Sequence, residues 1–384
     1  MSSMLTVSDH KLAILSFPLV SIHGGAAEAV LLSSKYLAKA GWDVRNFSLG
    51  CGRSSDCMSF EGANIDCYLA SHLNTSGKVS LSELLRLVRD LRGFKPDIIM
   101  AHQIFNFPTC FSVIYRLFAR VPLVICPHGS LSSNLRDKRQ KLQIRLVKRL
   151  IVFFVLRFSR VILFNSPEEI AESGLRKNAK FKVAGLGIER PTQSINDQKI
   201  PNSIVFFGRL DPIKRLDLII EAVEHLRNQG FKVIFHIYGA SKDAHESLLR
   251  AMVSNLNLQN EIKFMPWQES SEIKERLRNY QVVVSASDSE SFGLSLLEGI
   301  AHGAFAVMGS HLPNSHFVEK NGLGVLVSEQ KSEKYAAAIE FAIKNCYKLS
   351  EDTKPTNSLT HFEWDSVIED WNRVLVSIQK SDWA

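Results

Sequence analysis

Glu290 and Glu298 bracket the run Ser291-Phe292-Gly293-Leu294-Ser295-Leu296-Leu297, which follows a β-rich stretch and opens a helical pattern leading to Gly303. That spacing puts one carboxylate in a loop and the other about two turns along the helix. The helix N-terminus between them offers unpaired N–H groups and the positive end of the peptide dipole, a place for an anion. An ionised glutamate accepts two hydroxyl donors at once, so the pair also suits sugar and ribose hydroxyls. For Glu298 the plainer alternative is an ordinary exposed helical carboxylate.

A second cluster lies upstream. Phe206-Phe207-Gly208-Arg209-Leu210 reads as a buried strand ending in glycine, followed at once by Asp211-Pro212-Ile213-Lys214 and a helix. A strand-end glycine lets a phosphate approach the main chain, and Arg209 and Lys214 can donate to it. The alternative is a βα turn whose basic residues are merely solvated. In the first half, Pro127-His128-Gly129-Ser130 follows the apolar run 123–126 and so sets His128 at a strand end. A lone histidine is more often structural than catalytic, and nothing in the spacing of His128 decides between the two. Gly24 and Gly25, behind His23, lie between the first strand and the first helix, as a glycine-rich binding loop or a plain turn.

These residues need a scaffold that presents strand ends. The first half alternates β-rich runs with helical patterns: a strand at 12–17, a helix at about 26–40, a strand at 44–49, and further strands near Ile65, Ile98, Val124 and Ile162. Ser80 and Glu83 form a candidate capping box for a helix carrying Leu81, Leu84, Leu85, Val88 and Leu91. Residues 188–202, with Pro191, Asn196, Asp197 and Pro201, show no periodicity and read as a linker. A second series follows, with strands at 203–207, 232–238, 261–264, 282–286 and 304–308. The tail repeats Trp364, Val367, Ile368, Trp371, Leu375 and Ile378 at helical spacing behind a Thr360/Glu363 capping box. Alternating strands and helices signal parallel βα units.

At 384 residues, 45% hydrophobic and 22% charged, the chain is long enough for two cores, neither needing disulfides or metal. Six cysteines with no Cys-x-x-Cys pair point to a reducing cytoplasm. The net charge of +7 suits phosphate groups or an anionic membrane without selecting nucleic acid, for which no recognition motif is present. Residues 12–20 are apolar behind a single Lys11 but lead into a Gly-Gly turn and a helix, so a signal peptide is not expected. Nothing approaches the roughly 20 apolar residues that a spanning helix needs. The segment from Arg136 to Arg160, RDKRQKLQIRLVKRLIVFFVLRFSR, is dense in cations and then apolar. It reads either as peripheral contact with an anionic membrane or as a solvated basic face on a packed helix.

Taken in order, Gly208, Arg209, Lys214 and the Glu290/Glu298 pair resemble the large family of retaining group 1 glycosyltransferases, which includes bacterial hexosyltransferases of lipopolysaccharide, capsule and glycolipid assembly. The resemblance covers nearly the whole chain. It implies an α/β GT-B fold, two Rossmann-like domains facing across an interdomain cleft: residues 1–190 on the acceptor side, a linker at 191–202, residues 203–360 binding a nucleotide sugar, and a terminal helix in 361–384 packing back towards the first domain. It implies that Gly208, Arg209 and Lys214 bind the donor diphosphate, that Glu290 lies near the transferred sugar, and that Phe292, Gly293 and Leu294 offer backbone contacts. Glu298 is then on the ribose, Gly24 and Gly25 form the glycine-rich loop on the donor, and His128 is the catalytic histidine near the reacting sugar. Base recognition would fall around residues 265–268, where Trp267 either stacks on a base or fills core.

The implied activity is transfer of a hexose from a nucleotide-diphosphate donor to a polysaccharide or lipid-linked saccharide acceptor, in the cytoplasm or on the inner face of the cell membrane. No Asp-x-Asp motif is present to hold a divalent ion, so neither a metal nor any other cofactor is expected beyond the sugar nucleotide as co-substrate. Several positions depart from the family pattern: Ser295 stands where proline is common, Ala304-Phe305-Ala306-Val307 replaces a Thr-Pro-Val-Val type run, residues 309–319 lack the usual Gly-Gly-x-x-Glu, and Leu186-Gly187-Ile188-Glu189 replaces Asn-Gly-x-Asp. The rival readings are a nucleotide-sugar 2-epimerase of the same architecture and a catalytically silent nucleotide-sugar-binding protein.

Overall fold

Leu12, Ala13, Ile14 and Leu15 are fully buried in β1 (Lys11–Ser16), which pairs with a parallel neighbour on each side. A strand covered on both faces reads as a continuous apolar run, which is why this segment imitates a signal peptide in sequence. The computed structural model describes residues 10–16, 25–51, 64–69, 81–131, 141–189, 191, 199–240, 244–266, 270–352 and 358–379. Two units emerge from the contacts: residues 1–187 with 364–384, and residues 188–363. Of the sequence-based linker, residues 192–198 lie outside the described residues, as do Ser80, His23, Gly24, Trp267 and Gln268.

In the first unit β1 is followed by α1 (Gly25–Lys39), β2 (Asp43–Cys51), β3 (Asn64–Leu69), α2 (Leu81–Phe94), β4 (Ile98–His102), α3 (Phe107–Ala119), β5 (Leu123–Cys126), α4 (Leu142–Phe158), β6 (Val161–Phe164), α5 (Pro167–Ser173) and β7 (Phe181–Val183). The seven strands form one parallel sheet in the order β3-β2-β1-β4-β5-β6-β7. Chain direction across the sheet reverses between β1 and β4, which makes their C-terminal ends a topological switch point. The α3 helix is not visible in the apolar periodicity, but its start is marked by Asn106, whose side chain accepts from the Thr109 N–H at 2.8 Å, and by Pro108 in the first turn.

The second unit repeats the scheme with β8 (Ser203–Phe207), a 3-10 turn (Pro212–Lys214), α6 (Leu216–Asn228), β9 (Ile234–Tyr238), α7 (His245–Asn255), β10 (Ile262–Met265), α8 (Ser270–Leu277), β11 (Val282–Ser285), α9 (Leu294–Ala301), β12 (Phe305–Gly309), α10 (Ser315–Lys320), β13 (Gly324–Val327) and α11 (Ser332–Asp352). Its six parallel strands run β10-β9-β8-β11-β12-β13, with the switch point between β8 and β11. Ile204, Phe206, Val282, Val284 and Val307 point into one core with Leu216, Ile219, Ile220 and Val223 of α6. The short β13, preceded by Gly322, is a strand that the sequence pattern does not announce.

The terminal helix α12 (Trp364–Gln379) belongs to the first unit and lies on α1. Trp42 donates to Asn372 at 2.9 Å, Trp371 donates to the Gly185 carbonyl at 2.8 Å, and Tyr36 stacks on Trp364 with centroids 5.6 Å apart. The Thr360/Glu363 capping box does not form. Residues Thr360–Phe362 make a 3-10 turn, and Glu363, with ψ at 145°, is extended immediately before the helix starts at Trp364. Burial of Trp364 sets the helix start in place of the capping residues.

Candidate functional site

The switch point of the second unit collects most of the chemistry that the sequence singles out. Gly208 closes β8 with φ at +149°, and a side chain on its neighbour Gly239 would stand 2.0 Å from the Gly208 carbonyl oxygen, so this crossing of two loops admits no Cβ. Arg209 projects with 54% of its side chain exposed and contacts Asp211 at 3.3 Å. Lys214, in the 3-10 turn that Asp211 caps, reaches across to β11 and bonds Glu290 at 2.6 Å, both side chains about 15% exposed (15% and 14%). Glu290 also accepts from Ser287 Oγ at 2.8 Å. The two motifs, 76 residues apart, therefore meet at one point.

Several residues that the sequence reading missed hold this point in shape. Arg215 forks onto Asp217 (3.0 Å) and onto Asp288 (3.2 Å), and these carboxylates push its already high pKa further up, keeping a permanent cation beside the Lys214–Glu290 pair. The Asp288 N–H donates to the Ile213 carbonyl at 2.8 Å, joining the two loops through the main chain. The Ser287 carbonyl accepts from His311 at 3.0 Å and from Gln330 at 3.2 Å. Arg215 was legible only as a basic neighbour of Lys214; His311 and Gln330 arrive from distant loops and carry no local signal.

Phe292 is buried, and its carbonyl accepts from Asn314 at 2.7 Å. Gly293 is the N-cap of α9 with φ at +83°, a conformation that suits glycine, and makes no side-chain cap. The first turn, beginning at Leu294, carries no acidic side chain, so its positive dipole end is left to an external anion. Glu298 is not an exposed helical carboxylate: its side chain is 9% exposed and bonds Lys274 of α8 at 2.6 Å, with Lys274 12% exposed. Lys274 is a further residue that sequence pattern did not single out, since it sits in an ordinary charged amphipathic helix.

In the first unit, His128 stands at the end of β5 with φ at +49°. Its ring stacks on His102, the last residue of β4, with centroids 5.0 Å apart and planes within 6°. His128 Nε2 and His102 Nδ1 are 2.7 Å apart, and Asn165 Nδ2 lies 3.0 Å from His128 Nδ1. An amide nitrogen only donates, so His128 Nδ1 accepts and its proton sits on Nε2, directed at His102 Nδ1. The proton of His102 is then on Nε2, which is buried without a partner, as is Asn165 Oδ1. Burial depresses the pKa of His128 to about 4 and that of His102, also faced by His128, well below its usual value, so both rings are neutral at pH 7. Glu169 braces the cluster by accepting the N–H groups of Gly129 (2.5 Å) and Asn165 (2.7 Å). Its pKa is raised to about 7 because burial outweighs those two hydrogen bonds.

Of the glycine pair, Gly25 is the first residue of α1 and Gly24 lies outside the described residues. No group of three or more His, Cys, Asp or Glu side chains with metal-holding geometry occurs among the described residues.

Fold and sites together define a two-domain α/β protein of the GT-B type with an anion-receptive switch point in its second unit. The solved HepE of Anabaena in complex with UDP and glucose superposes with a TM-score of 0.74 at 19% identity, covering 95% of this chain and 99% of that one. Residues 188–357 match the family described as glycosyl transferases group 1, and residues 23–180 match glycosyltransferase family 4. The chain belongs to the group 1 glycosyltransferases. Among curated relatives, the GtfA subunit of a UDP-N-acetylglucosamine–peptide N-acetylglucosaminyltransferase from Streptococcus pneumoniae is 32% identical over 161 residues, 40% of this chain and 31% of that protein. The chain thus spans about a third of that relative's length. A GDP-mannose:cellobiosyl-diphosphopolyprenol α-mannosyltransferase from Xanthomonas oryzae is 21% identical over 71% of this chain and 72% of its own.

Proposed function

We propose that this protein transfers a hexose-type sugar from a nucleoside diphosphate donor to a saccharide or lipid-linked saccharide acceptor in cell-surface glycan synthesis, with retention and without a metal. One observation carries the reading: Gly208, Arg209, Lys214, Glu290 and the α9 N-terminus converge on the β8/β11 switch point. Ligands of open α/β sheets bind at such points. Arg209, Lys214 and the helix dipole supply fixed positive potential where charge grows on the leaving diphosphate, the electrostatic task a metal performs elsewhere. Relatives named for UDP-N-acetylglucosamine and for GDP-mannose, and a fold neighbour holding UDP and glucose, support a nucleoside diphosphate donor. The Xanthomonas relative's polyprenol-linked acceptor supports a lipid-linked one here.

In this reading the bond between the anomeric carbon and the diphosphate oxygen breaks, the acceptor oxygen bonds that carbon on the same face, and the acceptor proton passes to the departing phosphate oxygen. Glu290 positions the sugar, and Lys214 exchanges its contact with Glu290 for the phosphate. Glu298, held by Lys274, takes the ribose hydroxyls. His128, with both ring nitrogens engaged, is a neutral positioning group rather than a base. The cytoplasm, where sugar nucleotides are made, is the fitting compartment.

The experiment is a thermal-shift screen against UDP-, GDP- and ADP-sugars with EDTA present, because a ligand bound only to the folded state raises apparent stability. A shift with one nucleotide class that Arg209→Ala and Glu298→Ala abolish supports the donor site. Absence of a shift with every donor overturns it.

A further inference from the structure

Seventeen large apolar residues are exposed among the described residues, and eleven of them lie on α3 and α4. The two helices pack against each other, so these residues share one surface. On α3, Ile114, Leu117 and Phe118 face outward, Phe118 with 81% of its surface exposed; on α4, Leu146, Leu150 and Phe153 do so at 54–59%. The inner faces are already satisfied, since Phe111, Val113 and Tyr115 of α3 and Val152 and Val155 of α4 are buried in the core of the first unit. Each helix therefore carries a second apolar face that the unit's own packing leaves uncovered. Concentration on one surface is what distinguishes a binding patch from the scattered exposed leucines of any protein.

Charge selects the occupant. Arg116 and the C-capping Arg120 belong to α3, Arg145, Lys148, Arg149 and Arg157 to α4, and neither helix contains an aspartate or glutamate. A second copy docked about a two-fold axis would set this cationic face against itself. An anionic bilayer accepts both features at once: the apolar side chains enter the boundary between headgroups and acyl chains, and the cations lie among the phosphates.

We propose that α3 and α4 together form a surface on which this protein lies on an anionic lipid bilayer. Such a surface would hold the first unit at the layer that contains a lipid-linked acceptor, and in that respect it deepens the glycosyltransfer reading. Binding itself needs neither donor nor acceptor, so its failure and the failure of the enzymatic reading are separable.

The test is flotation of the full chain with phosphatidylcholine vesicles, pure or with about 30% phosphatidylglycerol, at low and high salt. Cosedimentation at the top of the gradient is expected with the anionic vesicles at low salt, with release by high salt. Arg145→Gln with Arg149→Gln should weaken partitioning about 25-fold, from about fivefold per charge. Phe118→Ser with Phe153→Ser should abolish flotation while leaving the melting temperature and the donor-induced shift unchanged, because both rings are exposed. No flotation at low salt overturns the proposal, and so does a dimer by light scattering that the phenylalanine pair dissolves.

Discussion

Replacing Lys274 by methionine isolates the Glu298 carboxylate from the ammonium that faces it at 2.6 Å. Were the pair on the surface, the loss would be about 0–1 kcal/mol. With side chains only 12% and 9% exposed, the relevant case is a buried pair, in which removing one partner costs about 3–5 kcal/mol. Methionine keeps the apolar stem of lysine, which places the expected cost at the lower end, about 3 kcal/mol. The two units need not unfold together, so the cost is best read locally, as hydrogen exchange of the α9 amides by mass spectrometry. About 3 kcal/mol corresponds to roughly 100-fold faster exchange there. In Lys274→Met with Glu298→Met the uncompensated charge is gone, and the double variant should recover about 1–3 kcal/mol relative to the sum of the single changes. An acceleration below about threefold in Lys274→Met would show that solvent reaches the pair and would remove the argument that α8 holds Glu298 in place.

Three further outcomes follow from the same geometry. Arg209→Ala should weaken diphosphate binding about 10- to 100-fold, the worth of a charge-assisted hydrogen bond, with EDTA making no difference to either protein in calorimetric titration. Glu169, with its pKa raised from 4.5 to about 7, holds its proton more tightly folded than unfolded, so it makes stability fall as pH rises between those values; His128, lowered from 6.5 to about 4, makes stability rise with pH over its own window. Glu169→Gln removes the first contribution, and stability measured by denaturant titration between pH 4.5 and 6.5 should then climb more steeply with pH than in the wild type. Nitrogen-15 spectra of the histidine rings should show His128 as the neutral Nε2–H tautomer at pH 7, and His102→Gln should leave the fold intact while changing the ring shifts of His128; a His128 protonated on Nδ1 would refute the assigned chain.

The alternation of strands and helices was legible because strands in a parallel sheet are apolar throughout and helices keep one apolar stripe, which is how residues 203–207, 282–286 and the α6 pattern announced the second sheet. The main chain of the donor-side motifs was legible for a similar reason: Gly208 and Gly293 mark conformations that few residues other than glycine tolerate. What stayed hidden were partners. Lys274 meets Glu298 only because α8 packs beside α9, and His311 and Gln330 reach Ser287 from loops that chain order keeps far away. His102 was half visible, as a polar residue ending an apolar strand, but its bond to His128 depends on the register of β4 against β5, which pairs His102 with Cys126. The failed Thr360/Glu363 capping box belongs to the same class, a local signal overridden by tertiary burial of Trp364.

The two switch points differ in chemistry although their topology is the same. At β8/β11 the groups are ionic: Lys214, Arg215 and the exposed Arg209 stand among Asp211, Asp217, Asp288 and Glu290, so an arriving diphosphate has cations to take over and carboxylates that can turn to sugar hydroxyls. At the end of β4 and β5 the groups are neutral: two stacked imidazoles and an amide, with Ser16 at the end of neighbouring β1 adding a buried hydroxyl without a partner. A neutral donor–acceptor chain has no electrostatic pull on a phosphate but can fix the direction of hydroxyl hydrogen bonds. Parallel βα units put both sets at strand ends, and the side chains then divide the labour: charge recognition in the second unit, hydroxyl positioning in the first.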